Sequence, residues 1–89
     1  MVSVKVLYFA SARDAAKNLE YETVTLSEDT GPRMTSVVDA ITRRHPGLAA
    51  VLQTAAFSHN QVYCSGDDLE DIQVKDGDEI GIIPPVSGG

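Results

Sequence analysis

The stretch from Val2 to Phe9, "VSVKVLYF", starts as an alternating strand and ends apolar on both faces. Val2, Val4, Val6 and Tyr8 share one face, and Ser3 and Lys5 the other, until Leu7 and Phe9 make the second face apolar too. A strand with two apolar faces belongs inside a sheet, with neighbours on both sides. The far end of the chain carries a second such run, "EIGII", with Ile80 and Ile82 on one face and Ile83 on the other. Two strongly apolar strands at opposite ends of an 89-residue chain suit parallel pairing with each other. Parallel strands need a long crossover, and the helix between them supplies part of it.

That helix is the clearest periodic signal in the chain. In "MTSVVDAITRRHPGL", Met34, Val37, Val38 and Ile41 recur at i, i+3, i+4 and i+7. Arg43, Arg44 and His45 fall in its last turn, where positive charge complements the helix C-terminus. Pro46-Gly47 stops it, and "LAAVLQ" is read as one further helical turn. Between the first strand and this helix, Ser11-x-x-Asp14 fits a capping box opening a short helix. "YETVTL" reads as a second strand, with Val24 and Leu26 toward the core. After the helix, "AAFSHNQVYC" reads as a strand or as a hairpin centred on Asn60-Gln61. "SGDDLEDIQV" reads as a loop anchored by Leu69, Ile72 and Val74, and Asp76-Gly77 as a turn into the last strand. One dominant helix and about four strands describe an α+β roll, with a sheet packed on that helix.

Length and composition allow one small domain with a packed core. The single cysteine forms no internal disulfide and suits a reducing compartment. A net charge of −6 argues against binding nucleic acid through phosphate contacts and is compatible with docking on basic protein surfaces. The two histidines and the cysteine have no metal-ligand spacing, so no metal site is expected. No signal peptide or membrane-spanning run is recognised, and a cytoplasmic location is expected.

The ending, "PPVSGG", is the candidate functional element. Proline fixes φ and removes a backbone donor, so Pro84 and Pro85 end the strand and hold the chain extended. The boundary between domain and tail is placed there, with a domain over residues 1–83 and a flexible tail over 84–89. Gly88 and Gly89 lack Cβ atoms and can enter a channel closed to other residues. Six extended residues reach roughly 20 Å. A terminal carboxylate is ionised at neutral pH and is a poor electrophile until activated, most simply as an acyl-adenylate. Sulfur or a lysine amine could then displace AMP. The sequence has no phosphate-cradling glycine loop, so activation falls to a separate ATP-using enzyme.

"VLYFA" in the first strand, "RHPGL" after the main helix and above all "DGDEIGIIPPVSGG" resemble the small subunit of molybdopterin synthase, the MoaD family. The likeness spans essentially the whole chain. It implies a ubiquitin-like β-grasp, with a mixed sheet on one main helix, and a sulfur carrier in molybdenum cofactor biosynthesis. An E1-like activating enzyme would adenylate Gly89, which then becomes a thiocarboxylate (1-thioglycine). The tail of Pro84, Pro85, Val86, Ser87 and Gly88 would insert into the large synthase subunit. There the sulfur would pass to cyclic pyranopterin monophosphate. The resemblance further implies an elongated heterotetramer of two small and two large subunits. It implies no permanently bound cofactor, with ATP consumed by the activating enzyme. Two other readings share the Gly-Gly end: a thiamine-pathway sulfur carrier and a ubiquitin-like protein modifier joined to lysines. "IIPPVSGG" and the chain length favour the molybdopterin branch. An interaction domain with an inert tail is the blandest reading.

The remaining polar residues read as structural. Cys64 is expected to pack as a small apolar residue. His45 is expected to cap the helix or lie on the surface, and His59 to be solvent-exposed. The acidic residues from Asp67 to Glu79 read as a solvated face. Phe9, Leu7, Phe57 and the isoleucines read as core, with an exposed apolar patch formed by one or two of them as the alternative. Phe9 and Leu7 are the pair assigned to docking the large subunit, where apolar surface is exposed. No base, nucleophile and oxyanion donors are grouped in the sequence, so catalysis by this chain alone is not expected.

Overall fold

The structure is a computed structural model that describes residues 1–85. Val86, Ser87, Gly88 and Gly89, to which the tail chemistry was assigned, lie outside the described residues. Five strands form one mixed sheet: β1 (Val2–Tyr8), β2 (Tyr21–Leu26), β3 (Ala56–His59), β4 (Val62–Cys64) and β5 (Glu79–Ile83), in the order β2-β1-β5-β3-β4. Three helices join them: α1 (Ser11–Ala15), α2 (Met34–Arg44) and α3 (Leu48–Leu52). β1 pairs with β5 in parallel, Val6 opposite Ile80 and Tyr8 opposite Ile82. The terminal strands therefore do pair inside the sheet, as their double-faced apolarity requires. This is the β-grasp arrangement. The expected strand count was one short, because "AAFSHNQVYC" is a full hairpin.

Alternation assigns the two faces. Val2, Val4, Val6 and Tyr8 of β1, Val24 of β2, Phe57 of β3 and Ile80 and Ile82 of β5 are buried toward the helices. Met34, Val37 and Ile41 of α2 are fully buried against them, with Val38 at the margin. Each such aliphatic side chain contributes roughly 1.5–3 kcal/mol by leaving water. Leu48 of α3 closes one end of the core, and Leu69 and Val74 of the long loop also reach it.

Turns and caps set the registers. The hairpin turns on Asn60 and Gln61, both at positive φ (52° and 72°), which matches the strand twist of a two-residue loop. The turn before β5 is stitched to β1. Gly77, at φ 89°, donates its N–H to the Ser3 carbonyl at 2.8 Å, and Asp76 accepts from Ser3 N–H at 2.9 Å. The start of α2 is tied to the long loop by Met34 N–H to the Ile72 carbonyl (2.9 Å) and Val74 N–H to the Pro32 carbonyl (3.0 Å). The Ser11 capping box does not form. Ser11 is the first helical residue, Ala10 takes the cap position, and no side chain caps it. At α2 it is Ser36 that accepts from the Arg33 N–H, at 3.1 Å.

Two histidine expectations are corrected. His45 does terminate α2, giving its N–H to the Ile41 carbonyl at 2.8 Å, but its ring is 6 % exposed. The ring meets Glu22, which continues the inward face of β2 beyond Val24. Glu22 gathers Tyr8 Oη (2.9 Å), Arg44 Nη1 (2.7 Å) and His45 Nε2 (2.5 Å). Burial raises the Glu22 pKa, but the hydrogen bonds from Arg44, His45 and Tyr8 outweigh burial and hold it below the usual value. The Tyr8 hydroxyl is pushed up, by burial first and then by Glu22. His59 is partly buried in β3 with Nε2 2.7 Å from Asp78 Oδ2. Asp78 is accordingly not part of a solvated acidic face. Burial raises its pKa, and bonds from His59, the Lys75 N–H and Asn60 lower it further than that.

Candidate functional site: the outer sheet face at the root of the tail

The candidate site is the face of the sheet turned away from the helices. Register aligns Tyr21, Leu7, Gly81, Ser58 and Tyr63 in one row across all five strands. Ile83 and Ala56 pair in the next row, with Phe9 following the end of β1. Phe9 is 46 % exposed and Tyr63 74 % exposed, while Leu7 and Ile83 are half-buried. Phe9, Ala10, Tyr63, Ile83 and Pro84 line a cavity of about 270 Å³. Because β1 and β5 run in parallel, both finish at the same end of the sheet. The apolar cluster therefore lies where the chain leaves β5 through Pro84 and Pro85.

Local structure fixes this cluster. Phe9 donates its N–H to the Ile82 carbonyl at 3.2 Å, and its carbonyl accepts from Ala12 N–H at 3.0 Å. The next residue, Ala10, has φ 48° and ψ −126°, a conformation that disfavours a Cβ. Such strain persists only where surrounding bonds hold it, here at the edge of the cavity. Gly81 lies beneath the ring of Phe9. A Cβ there would run into Ser58 Oγ and touch Phe9 Cε2 at 3.5 Å. The glycine thus lets the outer face close over β5, and Gly81 is buried although it faces away from the core.

Of the sequence-assigned residues, Phe9 and Leu7 lie on this outer face, and Pro84 is buried at its rim with Pro85 exposed beyond it. Phe57, Ile80 and Ile82 are core. Tyr63 and Ala10 were not singled out. Strand alternation in "VYC" is the signal for Tyr63, since Cys64 pairs with Phe57 on the inner face. Nothing in the sequence marks Ala10. Cys64 is half-buried and packs at the edge of the core. Its thiol is pushed up by burial and then by Asp68. That disfavours the thiolate a nucleophile needs. Among the described residues, no three His, Cys, Asp or Glu side chains are grouped to hold a metal. Among them, too, no helix is long and apolar enough to cross a membrane.

The mixed five-stranded sheet packed on its helices, with the parallel central β1–β5 pair, is a ubiquitin-like β-grasp. Within that class the chain belongs to the ThiS family, whose model matches residues 6–89. It is 40 % identical over 88 residues to the molybdopterin synthase sulfur carrier subunit of Chlamydomonas reinhardtii, covering 99 % of this chain and all of that protein. Its fold is similar to the small archaeal modifier protein 1 of Methanosarcina acetivorans, with 30 % identity and a TM-score of 0.76 over 100 % and 98 % of the two chains. It is also similar to a chain in the complex of subunits 1 and 2 of the molybdopterin-converting factor from Helicobacter pylori. There identity is 26 % and the TM-score 0.68, over 99 % and 100 % of the chains.

Proposed function

We propose that this protein is the sulfur-carrier subunit of a molybdopterin synthase. The observation that carries the reading is the parallel β1–β5 pair, which brings the Phe9–Tyr63–Ile83 cluster to the point where "PPVSGG" begins. A partner seated on that apolar cluster has the tail delivered to it. The molybdopterin synthase name of the full-length relatives and the two-subunit complex among the similar structures support this reading over a thiamine-pathway carrier.

The chemistry follows from the tail. The Gly89 carboxylate attacks the α-phosphorus of ATP in a separate activating enzyme, forming a glycyl adenylate and releasing pyrophosphate. Hydrosulfide then displaces AMP at the acyl carbon and loses its proton to solvent, leaving a thiocarboxylate. In the large subunit the thiocarboxylate sulfur attacks a side-chain carbon of the pterin precursor, cyclic pyranopterin monophosphate, a C–O bond at that carbon breaks and the oxygen leaves with a proton; two such transfers, from two carrier chains, supply the two dithiolene sulfurs. Water then cleaves the acyl–sulfur bond and restores the carboxylate. Gly88 and Gly89 pass where a Cβ would block, and Pro84 to Ser87 line the approach. The partner's groups perform the catalysis; Phe9, Leu7, Tyr63 and Ile83 hold the two proteins together. The expected assembly is two small and two large subunits. The test is reconstitution with a purified large subunit and the pterin precursor. Thiocarboxylated protein should yield dithiolene product, and Phe9→Asp should abolish both complex and product. Product formation by a chain lacking Gly89 would overturn the reading.

A second reading is favoured by the similarity to the archaeal modifier protein: Gly89 joined to lysine amines of other proteins. The same activated glycine would serve both fates, and covalent lysine adducts would reveal the second.

A further inference from the structure

A second groove lies around the edge strand from the docking face. His59, Val62, Tyr63, Cys64, Asp71 and Ile72, with Asp68, enclose a cavity of about 400 Å³. Its lining combines apolar and aromatic side chains with the two carboxylates of Asp68 and Asp71. β4 is an edge strand, so no further strand of the described sheet covers its outer side. Val62, 68 % exposed, stands open on it.

The segment at this rim is acidic, and the cation that reaches it, Arg33, gives its Nη1 to the Glu70 carbonyl at 3.1 Å and to neither Asp68 nor Asp71. Residues 61–74 hold four carboxylates, Asp67, Asp68, Glu70 and Asp71, and no lysine or arginine. Among the described residues, Glu20 pairs with Arg13, Glu22 with Arg44 and His45, Glu28 with the N-terminal amine and Asp78 with His59, while Asp14, Asp29, Asp39, Asp76 and Glu79 form no ion pair. Among the described residues, the side chains of Asp68 and Asp71 have no ion pair and no hydrogen bond. Asp68 raises the Cys64 pKa after burial does, so its field reaches the groove floor. An apolar trough with two free carboxylates at its rim and an aromatic wall from Tyr63 has the complement of a cation beside an apolar stem. Arginine and lysine side chains have that form.

We propose that this groove binds a basic segment of a protein partner, one presenting an arginine or lysine next to an apolar side chain. Tyr63 lines both this groove and the tail-root cavity, so the two surfaces are continuous. A partner on the outer face can wrap β4 and place its basic residue between Asp68 and Asp71. The groove itself is independent of the chemistry at Gly89, and its test does not use that chemistry.

The test is a titration of the ¹⁵N-labelled full-length protein with two synthetic peptides, one of alternating leucine and arginine and one of leucine and glutamate. The arginine peptide should shift the amides of Val62, Tyr63, Cys64, Asp68, Asp71 and Ile72, and the glutamate peptide should not. The double variant Asp68→Asn/Asp71→Asn should weaken binding about fivefold, as expected for two partly exposed charge pairs. High salt should weaken the wild type toward the variant. Both aspartates are exposed, so the variant should fold, and its unchanged thermal transition checks this. Shifts scattered over the acidic surface, shifts with both peptides, or equal binding by the variant would overturn the proposal.

Discussion

Replacing Glu22 by glutamine tests the buried polar cluster that holds the end of α2 to the sheet. The Glu22 side chain is 11 % exposed and takes three donors. One carboxylate oxygen serves Tyr8 and His45, and the other serves Arg44. A glutamine can place its one carbonyl oxygen at only one of these positions. Facing Tyr8 and His45, it turns its NH₂ toward the Arg44 guanidinium, a donor against a donor. Arg44 is half-exposed and can swing into water at little cost. The loss then lies mostly in the negative charge that strengthened the bond to His45, about 2 kcal/mol for charge-assisted bonds in a buried setting. For a domain of this size that lowers Tm by about 8–16 °C.

The pH dependence follows from the lowered pKa of Glu22. A depressed folded-state pKa stabilises above the unfolded value, near 4.3, and that stabilisation is lost as pH falls through the folded-state value. The gap between wild type and Glu22→Gln should therefore be widest near neutrality and close below about pH 4. Thermal unfolding followed by circular dichroism at several pH values measures it. A Tm change under about 2 °C at neutral pH, or a gap that does not narrow on acidification, would refute the reasoning.

Other expectations follow from single contacts. Gly81→Ala should be better tolerated by about 1 kcal/mol in a Ser58→Ala background, because the severe overlap is with Ser58 Oγ alone; a double-mutant cycle without coupling would contradict this. Gln61→Gly should raise stability by roughly 0.5–1 kcal/mol by relieving positive φ in the hairpin, read from denaturant midpoints; a loss would show the side chain matters more than the backbone. Asp78→Asn should destabilise at neutral pH and matter less in acid, since His59, Asn60 and the Lys75 N–H favour the charged carboxylate. Gly88→Ala should slow activation or sulfur transfer more than it weakens large-subunit binding, in side-by-side turnover and affinity measurements; equal turnover would count against a narrow channel.

The sequence made the fold legible through its ends. Val6 with Leu7, and Ile82 with Ile83, mark both terminal strands as apolar on two faces; the strands pair in parallel inside the sheet, and their second face stays half-buried. The α2 stripe named its own buried face correctly. The two histidine misses have one physical cause, that side-chain partners distant in sequence decide burial. His45 near Pro46 has the local marks of a surface cap until Glu22, twenty-three positions away, reaches it from β2. His59 beside a turn has the marks of exposure until Asp78 pairs with it. Ser11-x-x-Asp14 had the letters of a capping box, yet Ala10 takes the cap position and Ser11 is the first helical residue. The outer apolar cluster was half legible. Phe9 and Leu7 stood out by strand alternation, whereas the contribution of Tyr63 depends on β3 bringing β4 alongside.

The most direct measurement for the account as a whole is the intact mass of the chain produced together with its activating enzyme. The account predicts a species in which one oxygen of Gly89 is replaced by sulfur, absent when Gly89 is deleted, while the thermal transition of the deleted form is unchanged. A terminus that stays an ordinary carboxylate, or that is found only in covalent bonds to lysines, would contradict it.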